Sequence, residues 1–181
     1  SIGKLAVAGT VNDLAVSGAK PLYLTCGFII EEGFAIKDLK TIVQHMADEA
    51  KKAGVVLVAG DTKVVERGSC DGVFINTTGI GIIHEEIVPS FKEGDAVIVS
   101  GTIGDHGIAI LSARGELGIN SPVQSDCASL NHMLEKATAV SKEVRIMRDP
   151  TRGGLTSTLV EIAEDFGVTI TLEEERIPLK D

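Results

Sequence analysis

Three observations predict an α/β fold in two domains. Helical stripes of apolar residues alternate with strand-length apolar runs over residues 3–83. Residues 84–95 then turn polar and turn-rich, with His84-Glu85-Glu86, Pro89-Ser90 and Lys92-Glu93-Gly94-Asp95. From Ala96 a second series of short apolar runs and helices begins. The break divides the chain into 1–88 and 89–181. With 181 residues, 44% of them hydrophobic, there is enough apolar material for two small cores.

Residues 3–18 read as a helix of small apolar residues, Leu5, Val7, Ala8, Val11, Leu14 and Ala15, buried around much of its girth. Asn12-Asp13 interrupts it, and a buried carboxylate needs a partner. Asp13 is therefore either a helix-end acid bonded to backbone or an acid serving a metal or phosphate. Gly18 and Pro21 close the helix. Leu22–Ile30 reads as a strand ending at Glu31-Glu32-Gly33. Over 36–53 the period is helical: Ile36, Leu39, Val43, Met46, Ala47 and Ala50 share one face, and Lys37, Lys40, Glu49 and Lys52 the other. Gly54 ends it.

Val55–Ala59 reads as a buried strand that opens into Gly60-Asp61-Thr62-Lys63. Gly60 permits close backbone approach. Asp61 suits a divalent cation, and Thr62 and Lys63 suit phosphate. A solvated polar turn would read the same way, and the glycine spacing is not that of a Walker A loop. Residues 73–83 form a further strand, and Asp71-Gly72 predicts a hairpin-like return between the two.

In the second half, strands are expected at 96–100, 144–147 and 168–172, a loop at 115–124, and helices from 108, over 125–140 and over 155–166. Ser125 or Asp126 would cap the second of these. His106 opens the first between Gly104 and Gly107. It is a candidate acid/base group, since imidazole titrates near neutrality, or a histidine satisfied by local backbone. Asp149-Pro150-Thr151-Arg152-Gly153-Gly154 joins a strand to a helix. Helix-start amides favour anions there, and Asp149 calls for a bridging cation. The alternative is an Asp149 cap flanked by surface ion pairs of Arg148 and Arg152.

Composition narrows the function. The net charge is -9, from 17 basic and 26 acidic residues, with no basic run to meet nucleic acid. An acidic protein still accepts ATP when magnesium carries the compensating charge. No Trp, one Tyr and five Phe make base-stacking platforms improbable. Cys26, Cys70 and Cys127 form no CxxC pair and lack zinc-ligand spacing, which fits a reducing cytoplasm. Neither a signal peptide nor a membrane-length apolar run is expected.

Four clusters stand in order: Thr10–Ala19, Gly60–Val65, Ser100–Gly107 and Asp149–Gly154. Together they closely resemble the HypE family of hydrogenase maturation proteins. That family belongs to the ATP-binding group of aminoimidazole ribonucleotide synthetase, selenophosphate synthetase and thiamine-phosphate kinase. The resemblance implies a PurM-like architecture. Its first domain is a mixed sheet with helices on one side, which pairs in a homodimer. It implies magnesium-ATP as cofactor, with Asp13, Asp61 and Asp149 as metal-binding acids. Asn12, Gly60, Thr62, Lys63, Thr151, Arg152, Gly153 and Gly154 would join those three acids around the nucleotide, and His106 would handle protons or contact phosphate. It also implies dehydration of a C-terminal cysteine thiocarboxamide to a thiocyanate for the iron of nickel–iron hydrogenases. The implied partners are the carbamoyltransferase HypF and a HypC–HypD scaffold. Such proteins start before the point matching Ser1 and run past that matching Asp181, so a truncated second domain, no turnover and weak ATP binding are expected. Two other readings are a selenophosphate synthetase-like or kinase-like member, and a non-catalytic assembly module. A dinucleotide-binding Rossmann unit is excluded by the lack of G-x-G-x-x-G after a first strand.

Overall fold

The first unit is built around one long strand, β1 (Ala19–Glu31). The computed structural model describes residues 1–115, 118 and 122–180. These form two units: residues 1–88 with 128–147, and residues 89–127 with 148–181.

In the first unit, α1 (Ile2–Val16) leads into β1 through Gly18, whose φ of +79° only glycine adopts without strain. Next come α2 (Ile36–Ala53), β2 (Val56–Val65) and β3 (Val73–Ile83). The strand order is β2-β1-β3, with β2 parallel and β3 antiparallel to β1. The sheet is mixed, as expected. The hairpin expected around Asp71-Gly72 does not form: β2 and β3 take opposite edges of β1, whose length gives each edge its own ladder. The expected start of β1 also moves. Pro21 lies inside a central strand, which it can enter because the pairing with β3 shifts register between Pro21 and Tyr23.

Alternation along β1 sends Leu24, Cys26 and Ile30 toward the helices, where Leu24 and Cys26 pack with Val7, Val11, Ile42, Met46, Ala50, Ala53 and Val55. Thr10 donates to Thr77 Oγ1 at 2.6 Å and Thr77 Oγ1 donates to Ala6 O at 2.8 Å, pinning α1 to β3. In α2 the buried stripe is Ile42, Met46, Glu49, Ala50 and Ala53, while Val43 and Ala47 are exposed. The expected assignment of Glu49 to the polar face is thus wrong. Glu49 sits seven residues after Ile42 and so lies on the inner stripe, where Ser129 satisfies it through N–H (3.1 Å) and Oγ (2.8 Å).

The second unit contains α3 (Asp105–Ala113), α5 (Gly154–Phe166) and a short 3-10 turn at Glu174–Arg176; α4 (Asn131–Val140) belongs to the first unit. The strands expected at 96–100, 144–147 and 168–172 do not form among the described residues. A strand needs a hydrogen-bonded neighbour, which an apolar run cannot supply alone, and Ile98 is left 89% exposed. Helix α4 starts at Asn131, not at 125, because side chains of α1 and α2 hold the backbone of 128–130. The expected loop at 115–124 lies partly outside the described residues.

Candidate functional site

The candidate residues fall into two sets, one in each unit. In the first, Asp13 is exposed on α1, so the expectation of a buried acid fails: the apolar stripe of α1 runs through Val7, Ala8, Val11 and Ala15 and leaves position 13 outside it. Asn12 is occupied. Its Nδ2 donates to Ala128 O at 3.0 Å, and its Oδ1 accepts from Leu130 N at 2.8 Å.

Gly60, Asp61, Thr62 and Lys63 lie on a strand, not in a turn, because β2 stays paired with β1 through Val65. The register fixes their directions. Gly60 and Thr62 pair with Cys26 and Phe28 on the helix side, while Asp61 and Lys63 pair with Gly27 and Ile29 on the opposite face. A Cβ at Gly60 would stand 2.9 Å from Cys26 O, so the glycine serves close approach of two strands. Asp61 Oδ1 accepts from Thr62 N at 2.8 Å. A shallow cleft of about 400 Å³ runs along this edge, lined by Cys26, Phe28, Leu57, Gly60, Asp61 and Thr62 among others. A single chain brings Gly60 and Thr62 together and keeps Asp61 on the face of the sheet away from α1 and Asp13.

In the second unit, Asp149 begins a tight loop. Thr151 N donates to Asp149 O and Gly154 N to Thr151 O, both at 2.9 Å. Gly153 and Gly154 follow with φ of +78° and +64°. A Cβ at Gly153 would come within 2.1 Å of Ser157 Oγ. No side chain caps α5, and Thr151 and Arg152 are exposed just before it. The helix start therefore faces outward with its positive dipole end, a setting that suits an anion. Arg148 pairs with Glu161 at 2.5 Å, which meets one part of the alternative reading of this loop, but the cap position of α5 is Gly153 and not Asp149. His106 Nδ1 lies 2.8 Å from Ser125 Oγ, which accepts from Cys127 N at 3.2 Å. A serine 19 residues away, not local backbone, holds its ring.

Asp105 lies within the Ser100–Gly107 cluster, where the sequence assigns a role to His106 alone. The aspartate is only 3% exposed, accepts from Thr102 Oγ1 at 2.6 Å and pairs with Lys180 Nζ at 2.7 Å. The signal was present as Thr-x-x-Asp ahead of an apolar run. The hydrogen bond from Lys180, then that from Thr102, holds its carboxyl below the usual aspartate range. The folded pKa is therefore below the unfolded value of about 3.9. The stabilisation is fully present above that value and is lost as pH falls through the folded pKa. Acid titration of Lys180→Met is expected to show a weaker loss of stability below about pH 4 than the parent chain. Equal slopes in circular dichroism would reject this role for the pair.

Among the described residues, no three His, Cys, Asp or Glu side chains form a ready metal cluster. Residues 1–83 match the family described as AIR synthase related protein, N-terminal domain, and residues 92–181 match its C-terminal domain. The chain is 51% identical to the carbamoyl dehydratase HypE of Cupriavidus necator, over 98% of this chain and 52% of that one. It superposes on the crystal structure of a HypE–HypF complex with a TM-score of 0.95 at 54% identity, covering 100% of this chain and 60% of that one. A crystal structure of HypE in complex with ATP gives a TM-score of 0.95 at 48% identity, covering 100% and 55%. The chain spans about half the length of the curated relatives it matches.

Proposed function

Given that the chain belongs to the AIR synthase related protein family over both of its domains, we propose that it carries the nucleotide-binding part of a HypE-type carbamoyl dehydratase. The observation that supports this most is identity of about one half along essentially the whole chain to proteins of that name. The reaction proposed for the complete protein dehydrates a thiocarboxamide on a C-terminal cysteine to a thiocyanate, the source of cyanide for a nickel–iron hydrogenase. ATP would transfer its terminal phosphoryl group to the amide oxygen with release of ADP; a base would take the two nitrogen protons, and phosphate would leave with that oxygen as the carbon–nitrogen triple bond forms.

In this reading the loop Asp149–Gly154 and the uncapped start of α5 receive phosphate oxygens, with Arg152 adding charge. Thr62 and Gly60 line the cleft beside β1. His106, oriented by Ser125, moves a proton or contacts phosphate. The donor chemistry fits magnesium, which takes one or two carboxylates and completes its shell with phosphate oxygens and water. Asp13 in the first unit and Asp149 in the second each carry a carboxylate suited to such an ion, which would neutralise charge on the triphosphate.

The face of the sheet away from the helices supports a homodimer. It presents Tyr23, Ile29, Phe74, Ile80 and Ile82, of which the last two are 59% and 64% exposed. Two exposed apolar pairs, Tyr23 with Ile80 and Ile29 with Phe74, flank Thr25, Thr78 and Asn76 on this face, a mixed apolar and polar composition that suits an interaction surface. A second copy laid over it would put Asp61 and Lys63 of one chain within reach of the other's nucleotide. HypF is the proposed carbamoyl donor, since a relative is solved in complex with it, and a HypC–HypD scaffold is the proposed acceptor. No helix among the described residues is long and apolar enough to cross a membrane. The proposed setting, the cytoplasm, rests instead on the free thiols of Cys26, Cys70 and Cys127, which suit a reducing compartment.

Isothermal titration with magnesium-ATP tests the proposal. The chain extended to the length of its relatives is expected to bind in the micromolar range, and residues 1–181 alone much more weakly. No binding by the extended chain would overturn the nucleotide reading. Sub-micromolar binding by 1–181 would overturn the view that its site is incomplete.

A further inference from the structure

The point where the chain re-enters the first unit is held in an unusual way. Residues 128, 129 and 130 are caught in succession by two side chains, not by a backbone ladder. Asn12 of α1 takes Ala128 O and Leu130 N, and Glu49 of α2 takes both donors of Ser129. Glu49 is 3% exposed, so its carboxylate is held inside the unit by these bonds and by Lys52 Nζ at 3.9 Å. Both functional ends of the Asn12 amide are used, which leaves one spare lone pair on Oδ1 and one N–H on Nδ2. Asp13 is the next residue along the helix.

We propose that Asn12, together with Glu49, is a positioning residue and not a nucleotide ligand. The pair buckles the turn of α1 that carries Asp13 to residues 128–130, and so fixes the direction in which Asp13 is presented. The inference rests on the reading of Asp13 as a magnesium ligand.

The experiment uses the chain extended to the length of its relatives, with the variants Asn12→Ala, Glu49→Ala, their double variant, and Glu49→Gln, which keeps an acceptor for Ser129. Two readouts are taken: the magnesium concentration giving half-maximal ATP binding, and hydrogen exchange at Ser129 and Leu130 without nucleotide. Asn12→Ala and Glu49→Ala are each expected to raise that magnesium concentration by roughly fivefold to tenfold, and the double variant no further, since the two act through one contact. Glu49→Gln is expected to restore most of the loss. Exchange at Leu130 is expected to rise about tenfold in Asn12→Ala, because its N–H loses a part-buried acceptor. An Asn12→Ala defect that is independent of magnesium and absent from Glu49→Ala would make Asn12 a direct ligand and overturn the proposal. Unchanged exchange at both amides would overturn the buckle itself. If the parent chain binds no ATP, the nucleotide reading fails and takes the positioning role with it, while the exchange data still report on the buckle.

Discussion

Asp13→Asn, made in the chain extended to its relatives' length, is expected to lower ATP-dependent dehydration about a hundredfold or more, a loss typical when one preorganised charge-stabilising group is removed. Asparagine keeps the shape and one oxygen but removes the charge that a magnesium ion needs. Asp13 is exposed, and the melting temperature of the variant serves as the control that separates a lost charge from a lost fold. Asp149→Asn is expected to behave alike. Asp61→Asn carries a further consequence, because β2 turns Asp61 to the face away from α1. If that face meets a second copy, each nucleotide is served by Asp13 of one chain and Asp61 of the other. Asp13→Asn and Asp61→Asn chains are then inactive alone. Mixed and allowed to re-pair, half of the dimers are heterodimers with one intact site in two, so about a quarter of the parent rate returns. No recovery would place both carboxylates in the same chain's site, and full activity of Asp61→Asn alone would remove Asp61 from the chemistry. Full activity of Asp13→Asn and Asp149→Asn would remove the metal assignment.

What the sequence disclosed and what it hid follows from how local each feature is. The bounds of α2 and β3 could be read directly, since a helical period and a run of β-formers are properties of consecutive residues. The partners of β1 could not. Asp71-Gly72 is a fair turn signal, yet which edge of β1 each strand takes depends on pairings tens of residues apart. Asp61, Thr62 and Lys63 looked like the end of a strand because they are polar; β1 continues beside them and the ladder holds. The helical spacing overstates the length of α4 for the opposite reason. Cys127, Leu130 and Leu134 keep a helical spacing, but the backbone of 128–130 is claimed by Asn12 and Glu49, more than 75 residues away. The chemistry-bearing residues were legible as a set of clusters. The division of those clusters between two units and two faces of one sheet was not, because polarity says that a residue wants water, charge or a ligand and not which way it points.

Gly3→Ala and Gly9→Ala, both in α1, are expected to shift stability in opposite directions. Intrinsic helix propensity favours alanine over glycine by about 1 kcal/mol at either position. At Gly9 a new Cβ would meet nothing within 4 Å. The propensity gain should therefore survive, raising stability by roughly 0.5–1 kcal/mol. At Gly3 the same carbon would stand 2.2 Å from Ile42 O and 3.0 Å from Met46 Cγ. Met46 can rotate away, but a backbone carbonyl inside α2 cannot move unless the helix moves. Gly3 therefore marks a close approach of α1 to α2, and Ile42 and Met46 belong to the same core as Leu24. Forcing the helices apart also loosens Val7 and Val11, both wholly buried. Overpacking of this kind costs about 1–3 kcal/mol, and separation of two backbones lies toward the upper end. The net expectation for Gly3→Ala is a loss of about 2 kcal/mol after the propensity gain is subtracted. Urea denaturation of both variants beside the parent chain measures this. A stabilised Gly3→Ala would mean that α1 and α2 are farther apart than the packing described above, and the shared core of Val7, Ile42 and Met46 would have to be redrawn.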